Sequence, residues 1–140
     1  MLNTSLWIAQ AFVALFLALA GGAKLVVPRE ELATKMDWAA SWPRGQIKLL
    51  GVAEVAGAVG LIAPQATGIA PVLTPIAAAC LAVLMAGAVR THQRLGEGFV
   101  PAALIGALCC AIAAGRWCSA RTPDAATNAR RGQHPAYQPE

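Results

Sequence analysis

The sequence predicts an all-α integral membrane protein, a four-helix bundle with an up-down antiparallel topology. Composition is the first observation: 57% of the 140 residues are hydrophobic and 13% are charged, whereas soluble domains carry roughly 25% charged residues. The charges are also segregated, which leaves four long apolar runs, each close to the ~20 residues that cross a bilayer. Finally, these runs lack the polar stripe that every helix of a soluble bundle would need.

The apolar runs predict four transmembrane helices within one domain, residues 1–117. Because the connections between them are short, consecutive helices are expected to lie antiparallel. The predicted helices, numbered spans 1 to 4, cover residues 5–27, 46–64, 69–91 and 99–116.

The start of the chain has two interpretations. A cleaved signal peptide is one, because the stretch LALAGGA in span 1 offers small residues at cleavage-like spacing. The lead before span 1 lacks lysine and arginine, however, and the apolar run continues past that stretch. We therefore expect a retained first helix.

Two segments lie outside the spans. Residues 29–45 have apolar side chains at helical spacing and two tryptophans near their end, which predicts a short amphipathic helix at the membrane interface. A plain connecting loop is the alternative for this segment. Residues 118–140 are polar and nearly free of aliphatic side chains, which predicts a disordered tail.

Charge and cysteine patterns narrow the classes of function. The formal net charge is +4, with the arginines at span ends and in the tail, which suits contact with a membrane surface. No basic face with interleaved aromatics occurs, so a nucleic acid is not an expected partner. The four cysteines form neither a C-x-x-C pair nor a cysteine–histidine cluster with metal spacing, so no metal site is predicted.

One acidic residue, Glu54, stands inside an otherwise apolar helix and is the centre of the candidate site. We define the B side as the side of the connections between spans 1 and 2 and between spans 3 and 4; the opposite side is the A side. Glu54, Lys24, Arg90 and His92 all fall toward the B ends of their spans. An ionised carboxylate in hydrocarbon costs about 2.5–3.5 kcal/mol even on a lenient scale. The sequence therefore predicts an intramembrane polar or ligand-binding cluster of these four residues.

Simpler explanations stand beside that prediction. Lys24 is near a helix end and could extend its amine to the interface. Arg90 and His92 could be ordinary flanking charges, and Glu54 could form a structural ion pair without chemistry. No catalytic residue is predicted, and the chain on its own is not expected to be an enzyme.

Glycines predict where the helices approach closely. Small residues let membrane helices pack backbone to backbone. The predicted packing positions are Gly51, Gly57 and Gly60 in span 2 and Gly87 in span 3.

Basic residues of the connections indicate an orientation. The B-side connections contain Arg29, Lys35, Arg44 and Arg94, whereas the A-side arginines stand at the end of span 4 and in the tail, at positions 116, 121, 130 and 131. The positive-inside rule therefore favours a cytoplasmic B side with both termini outside. We expect a multi-pass protein of the cell membrane.

Three motifs in order resemble the DoxX-like family of small four-helix membrane proteins. They are G-x-x-K at the end of span 1, G-x-x-E-x-x-G-x-x-G-L in span 2 and M-x-G-A-x-x-x-H in span 3. The resemblance covers about residues 6–117, and Lys24, Glu54 and His92 match its polar positions. It implies a four-span bundle. The family takes its name from a subunit of an archaeal membrane thiosulfate:quinone oxidoreductase, and some actinobacterial members are linked to membrane complexes for oxidative stress and thiol handling.

Three functions are consistent with these observations. The first is an accessory or scaffold subunit of a membrane redox complex, quinone- or thiol-linked. The second is a binder of a small ligand, such as a quinone head group or an anion, in a pocket formed by lysine, glutamate and histidine. The third is an oligomeric transporter of a small molecule or of protons. No cofactor motif is present; a quinone is the candidate cofactor, and the expected partners are the lipid bilayer and a membrane protein or a second copy.

Overall fold

Six α-helices form the part of the protein that the computed structural model describes, residues 2–121, and no strand occurs in that part. The four long helices are each long and apolar enough to cross a membrane. The protein is therefore the helical membrane bundle that its composition predicts. The helices are α1 (Leu2–Val26), α2 (Arg29–Lys35), α3 (Asp37–Ser41), α4 (Arg44–Thr67), α5 (Leu73–Leu95) and α6 (Val100–Arg121).

The four long helices pack antiparallel to their neighbours. Gly21 of α1 lies against Gly51 of α4, whereas Gln10, earlier in α1, bonds to Leu61, later in α4. This inverse order is that of antiparallel helices. The short connections of the chain thus produce the up-down topology.

The bundle is apolar both inside and outside. Side chains from all four long helices, among them Leu17, Leu61, Leu81 and Ile112, fill the interior. The outward faces carry large apolar side chains as well, such as Phe12, Leu19, Val83 and Leu104. A helix that is hydrophobic all round is typical of a membrane span.

Helices α4, α5 and α6 all end beyond the predicted spans, α5 at Leu95. Helix α4 continues through Pro64 to Thr67 and ends at Gly68, which has a left-handed conformation with φ of 71°. Pro64 stands near the end of α4, where its missing N–H removes one intrahelical bond. Helix α6 continues to Arg121. The rest of the predicted polar tail, residues 122–140, lies outside the described residues.

The segment between α1 and α4 folds over the B end of the bundle. It forms two short helices, α2 and α3, separated by Met36 in an extended conformation. Leu32, Trp38 and Ala39 are buried with Ile47 of α4 in a small second core. We call residues 29–42 the lid.

One arginine closes the lid onto itself. Arg29 donates from Nε to the carbonyl oxygen of Trp42 at 2.9 Å and from Nη2 to that of Ala40 at 2.6 Å. Because Arg29 is the first residue of the lid and Trp42 the last, these bonds tie its two ends together.

Candidate functional site

A contact between two glycines positions the central ion pair. A Cβ added at Gly21 would lie 2.7 Å from the carbonyl oxygen of Gly51, and one added at Gly51 would lie 2.7 Å from that of Gly21. Such distances are possible only because neither residue has a side chain, so α1 and α4 touch backbone to backbone. Because α1 and α4 are antiparallel, each glycine lies against the charged residue of the other helix. A Cβ added at Gly21 would lie 2.9 Å from the Cβ of Glu54, and one added at Gly51 would lie 3.1 Å from the Cβ of Lys24. The close approach thus brings the ammonium and the carboxylate together.

Lys24 and Glu54 form a buried, two-point ion pair. The Nζ atom of Lys24 lies 2.7 Å from Oε2 and 2.9 Å from Oε1 of Glu54. Their side chains are 12% and 5% exposed. The amine also lies 5.7 Å from the ring centroid of Trp38, within cation–π range. The lid therefore covers the charged pair.

The turn after α5 places a second carboxylate at the same end. Gly96 adopts a left-handed conformation with φ of 70°. The N–H of Glu97 then bonds to the carbonyl of His92 and that of Gly96 to Gln93, which is a Schellman motif. This turn holds Glu97 beside His92, five residues earlier.

Glu97 joins α5 to the lid. Its Oε2 atom lies 2.5 Å from Nδ1 of His92, and its Oε1 accepts a 3.0 Å hydrogen bond from the backbone N–H of Trp38. We call these three residues, His92, Glu97 and Trp38, the latch. Because Trp38 also contacts Lys24, the latch and the ion pair are continuous.

A cavity of about 550 Å³ lies beneath the lid, among all four long helices. Its walls are mainly apolar and aromatic, whereas Lys24, Glu54, Thr91 and His92 supply polar groups. Ligand pockets typically measure about 300–1,000 Å³ and combine apolar walls with a few polar groups. Apolar and aromatic wall residues include Phe16, Leu17, Met36, Trp42 and Met85.

The polar groups at one end of the cavity can form hydrogen bonds with a ligand. The ion pair among these groups has no net charge. Lys24 and Glu54 neutralise each other, and His92 lies against a carboxylate. Thr91 donates its hydroxyl proton to Gly87 and retains lone pairs that can accept. Within residues 2–121, no three histidine, cysteine, aspartate or glutamate side chains are grouped so that they could hold a metal ion.

The structure brings three of the four predicted cluster residues together. Lys24, Glu54 and His92 line the cavity, whereas Arg90 is exposed and does not. Residues two apart on an α-helix point about 200° apart. His92 and Arg90 therefore cannot both face the cavity.

Three of the four predicted packing glycines lie at tight contacts. Besides Gly51, a Cβ at Gly60 would lie 2.8 Å from the Cβ of Ala77, and one at Gly57 would overlap Leu81. Gly87 differs, because an added Cβ would meet nothing within 4 Å. Gly87 does not lie at a contact between helices. It lines the cavity, on the same wall as Ala88.

Sequence reasoning missed Glu97 and the role of the lid. Glu97 stands between two glycines in a short B-side turn, close in sequence to His92. A single acidic residue in such a turn was the sequence feature that could have indicated its role. Trp38 and Trp42 are four residues apart, which is the spacing of one helix face; they pack edge to face with ring centroids 6.4 Å apart.

A second polar cluster, also missed, lies at the A end. Arg116 is 4% exposed rather than a flanking surface charge. It donates from Nε to Gln10 at 2.6 Å and from Nη1 to Asn3 at 2.7 Å, and it lies over the ring of Trp7 at 5.2 Å. Gln10 in turn donates to the carbonyl oxygen of Leu61 at 2.5 Å. These contacts tie α6, α1 and α4 together opposite the cavity.

Fold and site together define a small multi-pass membrane protein whose four helices enclose a lidded cavity at one end and a buried arginine cluster at the other. The chain belongs to the DoxX-like family, whose family model matches residues 8–115. No curated protein and no solved structure shows a significant match.

Replacing Glu97 with alanine is expected to loosen the lid. The change leaves the N–H of Trp38 without its acceptor, at a cost of about 1–3 kcal/mol in local stability. Hydrogen exchange of the lid should therefore become roughly ten- to a hundredfold faster, as measured by mass spectrometry. Glu97→Gln keeps an acceptor oxygen and should have a smaller effect.

Glu30→Ala is the matched control for the lid, because Glu30 is an exposed carboxylate of α2. Its exchange profile should equal that of the unaltered protein. Unchanged lid exchange in Glu97→Ala would mean that the latch does not hold the lid.

Proposed function

We propose that the protein binds a small, lipid-soluble molecule with a polar head group, of which a quinone is the leading example. The cavity beneath the lid carries this proposal. It combines a ligand-sized volume with apolar and aromatic walls, and it contains Lys24, Glu54 and His92 as polar groups. Such a site suits a molecule that is mostly apolar and has one hydrogen-bonding end.

A neutral head group fits the cavity better than an anion does. The ammonium of Lys24 already contacts both oxygens of Glu54, and His92 lies against Glu97. An anion would have to approach two carboxylates and compete with them for these partners. A carbonyl oxygen, by contrast, needs only one available N–H or O–H donor.

Transport is less well supported than binding. A path across the membrane would have to pass the A end of the bundle. There Gln10, Leu61, Thr74 and Arg116 are all buried. The described helices thus favour a site with one closed end.

An accessory role in a membrane redox complex is the wider setting that we propose for this binding. Its support is the family membership, since the family is named for a subunit of such a complex. Affinity purification from native membranes should then recover a stable protein partner. Repeated recovery of the chain alone, or only with copies of itself, would count against this role.

We further propose the cell membrane as the location, with the B side and its cavity facing the cytoplasm. Four basic residues in the B-side connections support this orientation. A reporter enzyme that is active only outside the cytoplasm should then be active when it is fused to the C-terminus.

Filling the cavity is expected to weaken ligand binding without unfolding the protein. Gly87 lines the cavity and has open space around an added Cβ. Gly87→Leu should therefore occupy volume that the ligand needs and weaken binding about tenfold or more, which is ~1.4 kcal/mol. The measurement is quenching of tryptophan fluorescence by a short-chain quinone in nanodiscs, with Ala88→Leu as a second variant of the same wall.

Ala86→Leu is the matched control, because Ala86 is exposed on the same helix and does not line the cavity. It should bind the quinone as the unaltered protein does. Equal binding by Gly87→Leu, Ala88→Leu and Ala86→Leu would place the ligand elsewhere and contradict the proposal.

A further inference from the structure

The buried arginine at the A end has more hydrogen-bonding capacity than its partners use. Its Nε and Nη1 groups donate to Gln10 and Asn3. Its Nη2 group is buried and has no hydrogen-bond partner. Buried polar atoms without partners are rare in folded proteins, and an ion or water is a common explanation.

Thr74 provides a second, independent observation of the same kind. Its side chain is completely buried, and its Oγ1 atom has no hydrogen-bond partner. Threonine hydroxyls within helices usually donate to a carbonyl of the preceding turn. This hydroxyl is therefore available to another acceptor.

The register of α5 and α6 places these two orphaned groups at the same level of the bundle. A Cβ added at Gly106 would lie 3.1 Å from the Cβ of Met85. The helices are antiparallel, so ten residues onward in α6 and ten residues back in α5 reach Arg116 and Pro75. Thr74 adjoins Pro75, and both are buried. Arg116 and Thr74 thus both occupy the interior near the A end.

Charge distinguishes an anion from a water molecule as the common partner. The oxygens that Arg116 binds belong to neutral amides. Within residues 2–121, all five acidic residues lie toward the B side: Glu30, Glu31, Asp37, Glu54 and Glu97. No carboxylate of this part of the chain therefore compensates the guanidinium, whereas a buried charge requires a partner.

From these observations we infer that the A end contains a binding site for a small monatomic anion of halide type, formed by Nη2 of Arg116 and the hydroxyl of Thr74. Both groups donate, which suits an acceptor with negative charge. Both atoms are shielded from solvent, so the phosphate of a lipid head group at the membrane surface does not reach them. The site is separate from the cavity beneath the lid and independent of the function proposed for it.

Replacement of gluconate by chloride tests this site in the full-length protein. The protein is held in nanodiscs at constant ionic strength while chloride replaces gluconate. The melting temperature should rise with the logarithm of the chloride concentration above the Kd, by about 5 °C when chloride reaches about tenfold its Kd. Bromide should act like chloride. The same melting temperature in chloride and gluconate would overturn the inference and indicate a buried water.

Two variants connect the effect to the site. Thr74→Val preserves shape and removes the hydroxyl, and it should weaken the chloride dependence at least several-fold. Thr74→Ser should retain it. Broadening of the chloride-35 NMR line provides a readout that does not depend on stability, and Arg116→Gln should abolish it if that variant folds. A chloride effect of unchanged size in Thr74→Val would place the anion at another site and overturn the inference.

Discussion

Glu54→Gln is expected to destabilise the bundle by about 3 kcal/mol or more, because it leaves the ammonium of Lys24 buried without a counter-charge. Removing one member of a buried ion pair typically costs about 3–5 kcal/mol. The side chains of Lys24 and Glu54 are 12% and 5% exposed, so water screens the pair little. Thermal unfolding in nanodiscs measures the loss.

The double variant Lys24→Met with Glu54→Leu separates a structural ion pair from a functional one. Replacing both charges with apolar side chains is often neutral or stabilising, so its melting temperature should return to near that of the unaltered protein. Binding of the short-chain quinone should nevertheless be weakened, because two of the four polar side chains that line the cavity, Lys24 and Glu54, are gone. If the double variant recovers both stability and binding, the pair is purely structural.

Glu31→Gln provides the control for charge removal alone. Glu31 pairs with Lys35 on the surface of the lid, where their side chains are 56% and 65% exposed. Exposed pairs contribute about 0–1 kcal/mol. This variant should therefore leave both the melting temperature and the binding nearly unchanged.

Gly21→Ala is expected to separate α1 from α4 and to destabilise the protein by about 1–3 kcal/mol. The new Cβ would lie 2.7 Å from the carbonyl oxygen of Gly51 and 2.9 Å from the Cβ of Glu54. Backbone cannot move aside as a flexible side chain can, so the helices must shift, and overpacking usually costs this much. Because the same contact aligns the ion pair, quinone binding should weaken too.

The neighbouring residue, Gly22, provides a control, because the same substitution there points to a different side of α1. A Cβ added at Gly22 would meet nothing within 4 Å. Gly22→Ala should therefore be neutral or slightly stabilising, since alanine has the higher helix propensity. Equal melting temperatures for Gly21→Ala and Gly22→Ala would show that the close approach of α1 and α4 is not required.

Helix periodicity explains why one predicted site residue joins the cavity and another does not. Arg90 and His92 both stand at the B end of span 3, so the position along the chain favours them equally. Which of the two side chains faces the cavity is decided only by which face of α5 packs toward the interior of the bundle. Ala88, Thr91 and His92 share that face, and Arg90 is left exposed.

Arg116 is a buried residue whose burial the local sequence does not reveal. In sequence it follows an apolar run and resembles the many arginines that flank membrane spans. Its burial depends on Gln10 and Asn3, more than a hundred residues earlier, which face it across α1 and α6. No local pattern contains that pairing.

The sequence by itself determined the class of the protein, its four spans, their antiparallel order and the importance of an acid in the second span. These follow from apolar run length, short connections and the cost of a charge in hydrocarbon, all of which are local or additive. The tertiary structure alone decided that Lys24 pairs with Glu54, that Glu97 fastens the lid, and that Arg116 is buried. Those features depend on which helix faces meet, and that is fixed by packing between residues distant in the chain.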